Sequence, residues 1–365
     1  MPVLYRKWRP QKFSEILNQD FPKKVLSSQI KEGRVSHAYL FYGPRGTGKT
    51  TTARVFAKAI NCEKREGFEP CGKCFSCQEI QKGSAFDLIE IDAASNRGID
   101  EIRTLREEVK LSPARFKYKV YIIDECHQLT QEASNALLKT LEEPPSRVIF
   151  ILCTTDFSKV LPTIASRCQI FEFKKISFKE IKNYLQKISQ KENVKIEDSG
   201  LALISSLSEG CVRDALSLLD EVFLALGGEK TITKKEVEKL LGVLPQAMVY
   251  QFFDLLLKKD KKGVVEFLER IYKEGKDLQI FLKKFLSFLE NLLFYKYLPS
   301  ALLKEELSEE EKKEISEKKE KISEERLRKI INMFLNAYKE VRFSDFPLLS
   351  LELCSLDVID FLNKN

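Results

Sequence analysis

The chain has 365 residues, of which 43% are hydrophobic, enough for two or three domains with cores of their own. Its 61 basic and 54 acidic residues leave a formal net charge of +7, an excess that permits contact with nucleic acid without indicating it. No apolar run is long enough to span a bilayer, and the N-terminus carries no apolar targeting core. We therefore expect a cytoplasmic protein with no membrane partner, whose nine cysteines do not form structural disulfides.

The N-terminal 36 residues contain the basic and aromatic stretch Arg6-Lys7-Trp8-Arg9-Pro10, followed by an amphipathic stretch near residues 25–30. Trp8 is the only tryptophan of the chain. Packing against neighbouring residues is its simpler role. The alternative is an N-terminal segment that closes over a nucleotide base.

A glycine-rich loop follows the first predicted strand, residues 38–42, and precedes an alanine-rich helix over residues 51–60. It fits the phosphate-binding pattern G-x-x-x-x-G-K-[ST] with Gly43, Pro44, Arg45, Gly46, Thr47, Gly48, Lys49 and Thr50. Lys49 would reach the β- and γ-phosphates of a bound nucleotide, the Thr50 hydroxyl would bind Mg²⁺, and Thr51 is a further candidate for a nucleotide contact. A glycine turn without a ligand is the alternative, which the strand–loop–helix context disfavours.

Four cysteines cluster after this helix with the spacing C-x8-C-x2-C-x2-C, at Cys62, Cys71, Cys74 and Cys77. Tetrahedral Zn²⁺ takes four such soft ligands, and Gly72 eases the turn between two of them. A set of four protein ligands indicates a closed, structural zinc module over residues 62–77. An iron–sulfur cluster and buried free thiols are the alternatives.

An acidic pair ends the third predicted strand. Strands are predicted over residues 87–92 and 117–123, and the second is followed by Asp124 and Glu125. This is the Walker B pattern, in which Asp124 would hold Mg²⁺ and Glu125 would orient the attacking water. A strand end without function is the alternative, and the neighbouring His127 is expected to be structural.

Two further strands complete the predicted sheet, over residues 148–153 and 169–173, with a helix over 129–143 before them. Thr155, at the tip of the fourth strand, could sense the γ-phosphate. Strands that alternate with helices predict an α/β fold with a parallel five-stranded sheet covered on both faces. Its ligand is expected at the carboxyl ends of the strands.

Helical periodicity replaces the strand pattern after residue 177, with helices predicted over 178–190, 198–208 and 211–226. Residues 304–325 consist almost entirely of Lys, Glu and Ser, which predicts a solvated helix or a mobile linker. We expect three domains: a nucleotide-binding domain, a helical lid and an all-α domain, at residues 1–176, 177–242 and 243–365.

Several motifs together resemble one family. They are the N-terminal Arg6–Pro10 stretch, residues 37–41, the four-cysteine insertion, residues 135–145 (NALLKTLEEPP) and Ser166-Arg167-Cys168. In these the chain is similar to the gamma/tau subunits of the bacterial DNA polymerase III clamp loader, which are AAA+ ATPases. The resemblance is dense over residues 1–225 and weaker over 226–365.

The resemblance implies roles for individual residues. Lys49, Thr50, Asp124 and Glu125 match the family's ATP and Mg²⁺ machinery. Thr155 matches the sensor 1 position, and Arg213 matches sensor 2 in the lid. Arg167 matches the arginine finger that reaches the ATP of a neighbouring subunit. By the same resemblance, residues 243–365 form the collar of a pentamer.

The implied function is that of an ATP-hydrolysing motor that opens a sliding clamp and loads it onto primed DNA. Its partners would be delta- and delta-prime-like subunits, the clamp, and DNA held through phosphates, with Arg97, Arg103 and Lys139 as candidate contacts. The chain ends where the collar ends, so we expect a gamma-like or shortened form without polymerase- and helicase-binding extensions. A structural subunit similar to delta-prime and another AAA+ motor, such as a branch-migration helicase, are the alternatives.

Overall fold

The computed structural model describes residues 3–95, 107–109, 111–228, 230–298 and 309–363. The chain divides into two compact units, residues 1–231 and 232–365. Each unit has hydrophobic cores of its own. Within the described residues, we find no helix with the length and apolar character needed to span a bilayer.

A five-stranded parallel sheet forms the centre of the first unit, as predicted. Its strands are β1 (Ala38–Tyr42), β2 (Leu88–Asp92), β3 (Lys119–Asp124), β4 (Val148–Thr154) and β5 (Gln169–Glu172). They are ordered β2-β3-β4-β1-β5, so that β1 lies between β4 and β5. This order brings the carboxyl ends of β1, β3 and β4 to one edge of the sheet.

The described part of the first unit also contains α-helices. They are α1 (Leu4–Lys7), α2 (Asp20–Glu32), α3 (Lys49–Ile60), α4 (Phe75–Lys82), α5 (Gln131–Glu142), α6 (Pro162–Ala165), α7 (Phe178–Lys191), α8 (Asp198–Leu207) and α9 (Val212–Leu226). Because side chains alternate along a strand, β1 contributes to two cores. Tyr39 and Phe41 pack with Phe56 of α3 on one side, and Leu40 packs with Leu137 of α5 on the other. The sheet is therefore covered on both faces.

Side-chain caps mark several helix starts. The Thr130 hydroxyl accepts the Ala133 N–H at the start of α5, and Pro144 and Pro145 follow soon after its end. Ser177 and Glu180 form a capping box at the start of α7. These signals are local, which explains why sequence periodicity predicted both helices to within one or two residues at each end.

The second unit is helical in its described part. Its helices are α10 (Lys234–Leu240), α11 (Gln246–Leu257), α12 (Lys261–Lys273), α13 (Leu278–Tyr297), α14 (Glu309–Lys319), α15 (Glu324–Phe343) and α16 (Pro347–Asn363). Aromatic side chains dominate its core. Phe252 of α11 packs at 4.9 Å from Phe285 of α13, and Phe285 lies 4.9 Å from Phe334 of α15, measured between ring centroids.

The Lys- and Glu-rich stretch differs from its prediction. Within it, α14 is not solvated all round, because Ile315 and Lys318 are 1% and 5% exposed. The Lys318 ammonium donates to Asp254 of α11 at 2.7 Å. A single isoleucine and one paired lysine attach this helix to the core, a signal too sparse to stand out from so charged a sequence.

Candidate nucleotide site and cysteine cluster

The glycine-rich loop joins β1 to α3, and its backbone requires glycine at three positions. Gly43, Gly46 and Gly48 have φ of 143°, 71° and 101°. A Cβ on Gly43 would lie 2.0 Å from the Phe173 carbonyl oxygen. The loop can therefore approach phosphate closely and turn its N–H groups inward, as the motif predicts.

Lys49 begins α3 and is 5% exposed. Its ammonium donates to the carbonyl oxygens of Gly43 at 2.7 Å and Pro44 at 2.8 Å. Burial lowers the pKa of Lys49, and the carboxylates of Glu125 and Asp124 act in the opposite direction. An ammonium has three hydrogens, so one remains for a phosphate oxygen.

The two candidate magnesium residues meet directly. The Thr50 hydroxyl donates to Asp124 Oδ2 at 2.7 Å. Asp124 ends β3, and Asp92 is its register partner at the end of β2. Hydroxyl and carboxylate oxygens suit Mg²⁺, which binds in such sites through a few protein ligands together with waters and phosphates.

Glu125 and Thr155 are also brought together. The Thr155 hydroxyl and N–H donate to Glu125 Oε2 at 2.7 Å and 3.1 Å. Glu125 has a φ of 49°, an uncommon conformation for a residue other than glycine. His127 Nδ1 lies 3.4 Å from the same carboxylate oxygen and 2.9 Å from the Thr154 hydroxyl. The Glu125 carboxylate, directly after β3, is thus oriented by Thr155, directly after β4.

The lid meets the glycine loop at the start of α9. A Cβ on Gly46 would lie 1.9 Å from Cys211 Sγ and 3.5 Å from Arg213 Cβ. The Arg213 guanidinium lies 5.0 Å from the ring centroid of Tyr5 in α1. Lid, loop and N-terminal segment therefore converge on one place.

These groups line a cleft of about 980 Å³, at the upper end of the range for small-molecule sites. Of the predicted residues, it is lined by Arg45, Gly46, Thr47, Gly48, Lys49, Thr50, Thr51, Asp124, Glu125 and Arg213. Gly43, Pro44 and Thr155 contact this set without lining the cleft themselves.

Sequence reasoning missed several lining residues, among them Arg9, Arg54 and Tyr184. Arg9 Nε donates to the Thr51 hydroxyl at 3.3 Å. Burial lowers the pKa of Arg9 to about 10, and the charge of Arg54 adds to this effect. The basic N-terminal stretch was the available signal, but its contacts are long-range and leave no local pattern.

Trp8 packs against the lid, which agrees with its simpler predicted role, and it also lines the cleft. Its indole N–H donates to Glu192 Oε1 at 2.6 Å, beside α7. Lys7 donates to the other oxygen of that carboxylate at 2.7 Å. The Tyr184 hydroxyl donates to the Trp8 carbonyl oxygen at 3.0 Å.

The remaining predicted residues lie elsewhere. Arg167 pairs with Glu142 of α5 at 2.7 Å and donates to the Thr163 carbonyl oxygen at 2.8 Å, away from the cleft of its own chain. Lys139 is exposed on α5. Arg97 and Arg103 lie outside the described residues.

The four clustered cysteines converge in space. The Sγ atoms of Cys62, Cys71, Cys74 and Cys77 all lie within 4.8 Å of one another. The Sγ atoms of Cys62 and Cys74 are 3.9 Å apart, close to the ~3.8 Å expected between two thiolates on a tetrahedral zinc ion.

The chemistry of these thiols also fits a cation. The N–H groups of Lys73 and Cys74 donate to Cys71 Sγ at 3.4 Å and 3.3 Å, and the first of these bonds is the main cause that lowers the Cys71 pKa to about 6. Burial raises the pKa of Cys77. A bound cation would offset the cost of burying the Cys77 thiolate, because it stabilises that negative charge directly.

Models of three protein families match successive parts of the chain. One described as DNA polymerase III, delta subunit, matches residues 18–177. The clamp-loader subunit ATPase lid domain matches residues 180–228. Domain III of the DNA polymerase III gamma and tau subunits matches residues 232–362.

Individual relatives match nearly the whole of this chain. The chain is 40% identical over 359 residues to the DNA polymerase III subunit tau of Bacillus subtilis, and this match covers 98% of the chain and 63% of that protein. It is 37% identical over 358 residues to the subunit gamma of Buchnera aphidicola (subsp. Acyrthosiphon pisum), covering 98% of each. A RuvB mutant of Thermotoga maritima shares the fold alone, at 19% identity and a TM-score of 0.50, covering 69% of this chain and 80% of that one.

Proposed function

This chain belongs to the gamma/tau family of bacterial DNA polymerase III subunits, with the lid of a clamp-loader ATPase, and on that premise we propose that it is an ATP-hydrolysing clamp-loading motor. It would open a sliding clamp and set it on primed DNA. The observation that carries the proposal is the 2.7 Å hydrogen bond between the Thr50 hydroxyl and Asp124. It joins the phosphate loop to the acidic strand end at the cleft.

In this proposal the loop residues bind and Glu125 acts in the chemical step. Residues 43–51 would hold the phosphates, and the Lys49 ammonium would donate its remaining hydrogen bond to a phosphate oxygen. Thr50 and Asp124 would hold Mg²⁺, which neutralises charge on the phosphates when bound. Glu125, oriented by Thr155, would accept a hydrogen bond from the attacking water.

Arginines complete the proposed machinery. Arg213 would contact phosphate from the lid, and its place at the cleft beside Tyr5 supports this role. Arg167 would act on the ATP of a neighbouring subunit, since it lies away from its own cleft. Its guanidinium would offset charge on the transferring phosphoryl oxygens.

We propose that the cysteine cluster binds one structural zinc ion, supported by the convergence of its four sulfurs. Metal analysis of protein purified without chelator should then give one zinc per chain. Cys74→Ser should lose the metal and lower Tm by at least ~4 °C, the effect of about 2 kcal/mol on a unit of this size. Cys354→Ser, in the second unit, is the control and should keep the zinc. Wild-type protein that holds well under one zinc per chain would contradict the site.

The assembly and its partners belong to the same proposal. Residues 243–365 would form the collar of a pentamer with delta- and delta-prime-like subunits, residues 177–242 the lid, and residues 1–176 the nucleotide-binding domain. DNA contacts would be made to phosphates, with Lys139 available on an exposed helix face and Arg97 and Arg103 as further candidates. Because the relatives are bacterial replication proteins, we place the action of this subunit in the cytoplasm.

Two rivals make different predictions. A structural subunit similar to delta-prime would not bind ATP productively, and the complete set of loop and Walker B residues favours the motor instead. A different AAA+ motor, such as a branch-migration helicase, would act on DNA without a clamp. The relatives that match 98% of this chain at 37–40% identity favour the clamp loader over it.

The test is ATPase activity of the assembled complex, measured with and without primed DNA and a sliding clamp. We expect the rate to rise when both are added together. A Lys49→Ala complex is the matched control and should show no stimulation. Equal rates with and without the clamp would contradict the loading function, and absence of ATP binding would favour the structural rival.

A further inference from the structure

The loop that carries the cysteine cluster contains a tight hairpin. Glu66 and Glu69 pair through their backbones, with N···O distances of 3.2 Å and 3.1 Å, and Gly67 takes a φ of 65° in the turn. The hairpin lies between Cys62 and Cys71. Its position is therefore fixed at both ends by members of the cysteine cluster.

Glu69 extends from this hairpin to the N-terminal segment. Its two carboxylate oxygens accept the N–H groups of Phe13 and Ser14, each at 2.8 Å. The Phe68 ring lies 6.0 Å from that of Phe13, which is 1% exposed. Hydrogen bonds to a carboxylate are stronger than neutral ones, and losing the acceptor would leave two backbone donors unpaired.

The same N-terminal segment forms one wall of the nucleotide cleft. Gln11 accepts a hydrogen bond from Lys58 of α3 and donates to the Arg9 carbonyl oxygen at 2.9 Å. Arg9 in turn reaches Thr51, directly after the phosphate loop. Trp8, one residue before Arg9, donates a hydrogen bond to Glu192, directly after α7 of the lid. A short run of contacts thus leads from the cysteine loop to the cleft.

We propose that Glu69 is a positioning residue for nucleotide binding, through which the metal-bound cysteine loop holds the N-terminal wall of the cleft in place. This inference rests on the proposed ATP and zinc binding. The cysteine module would then support nucleotide binding in addition to stabilising its own fold. Loss of the metal would release the hairpin, and with it residues 8–14, so that nucleotide affinity falls although the phosphate loop and the Asp124–Glu125 pair are unchanged.

The first experiment compares Glu69→Gln with Glu66→Gln, an exposed residue of the same hairpin that pairs with Glu69 through the backbone. Affinity is measured by calorimetry with a non-hydrolysable ATP analogue on the purified chain. We expect Glu69→Gln to raise Kd on the order of tenfold, as for one charge-assisted hydrogen bond. Zinc content should be unchanged. Glu66→Gln should bind like the wild type, and Glu69→Asp should recover part of the loss.

Trp8, the only tryptophan, reports the position of the segment directly. We expect its emission to shift in Glu69→Gln and, in the wild type, on removal of zinc by a chelator. Chelation should raise Kd about tenfold in the wild type but add little in Glu69→Gln, because both act through the same contact.

A measurement on the wild type alone guards against a variant that fails to fold. Hydrogen exchange of residues 9–16 should accelerate when zinc is removed. Unchanged exchange on chelation, or a Glu69→Gln protein with wild-type Kd and Trp8 emission, would overturn the inference while the proposed function stands. A wild type that binds neither zinc nor nucleotide would instead refute the proposed function.

Discussion

Lys49 and Glu125 both line the cleft and are held by different neighbours. Lys49 is bonded to two carbonyl oxygens of its own loop, so its ammonium is fixed where a phosphate would meet it. The Glu125 carboxylate accepts a hydrogen bond from Thr155, directly after β4, which fixes the group that would face the attacking water. Their surroundings therefore suit binding in one case and the chemical step in the other.

Separate variants should distinguish the role in nucleotide binding from the role in the chemical step. Lys49→Ala removes a charged phosphate contact and should raise the Kd for ATP by roughly 10–150-fold. Glu125→Gln keeps the shape of the side chain and should bind ATP normally, but it should lower kcat by about 10²–10⁴-fold. Nucleotide binding and single-turnover hydrolysis measure the two effects. An equal loss of affinity in both variants would show that this division of roles is wrong.

Much of this site could be predicted from the sequence because its residues occupy short motifs at the ends of predictable strands. The phosphate loop and the Asp124–Glu125 pair are of this kind. Arg9 and Glu69 are different, since each acts on residues more than forty positions away. No periodicity or spacing records such a contact, so only the folded chain reveals it.

At the scale of elements, the contact between the phosphate loop and the first turn of α9 couples lid and loop. Gly46 has no room for a side chain because Cys211 occupies that space. Cys211 also caps α9, its Sγ accepting the Asp214 N–H at 3.4 Å. Movement of α9 would therefore displace the loop that would hold phosphate.

Gly46→Ala tests this coupling. The new Cβ would lie 1.9 Å from Cys211 Sγ, so the lid helix or the loop must move, and we expect the Kd for ATP to rise by about tenfold or more. Gly33→Ala is the matched control, because Gly33 has a similar φ of 69° and open space around it. Both variants carry backbone strain, which should lower Tm by a few degrees, but only the first should lose affinity.

Removing the thiol provides the decisive comparison. In a Gly46→Ala/Cys211→Ala protein the nearest obstacle is gone, so part of the lost affinity should return. A double variant no better than Gly46→Ala would mean that lid contact does not cause the defect.

The elements themselves were largely predictable, and the exceptions have a physical reason. Apolar runs in the sequence predict the strands, and capping residues and prolines predict where helices begin and end. The attachment of α14 to its core through Ile315 and Lys318 was missed, since two side chains among so many charges give no visible pattern.

At the scale of the whole molecule, Arg167→Ala tests whether subunits complete one another's sites. Isolated Arg167→Ala chains should bind ATP with wild-type affinity, because this residue lies outside its own cleft. Assembled complexes should hydrolyse ATP slowly, by about 10³–10⁵-fold if the arginine acts as such fingers do in GTPases. Steady-state ATPase with primed DNA and clamp measures the loss.

Mixed complexes give the control. Arg167→Ala chains combined with Lys49→Ala chains should recover activity wherever an intact Arg167 faces an intact Lys49. Full stimulated activity in a complex whose subunits all lack this arginine would contradict the finger role.

The parallel pairing of β1 with β5 gives such an assembly a direction. Tyr39 pairs with Gln169 and Tyr42 with Glu172, so Arg167 lies at the amino end of the strands and the phosphate loop at the carboxyl end. If Arg167 acts on the cleft of the next subunit, as proposed, head-to-tail repetition of that contact would join the chains into a closed ring or an open arc. A ring that stays open then has two unlike termini. In an open arc made of this chain alone, one terminus would display an arginine with no cleft to act on and the other a cleft with no arginine, so the arc would hold one complete site fewer than it has chains.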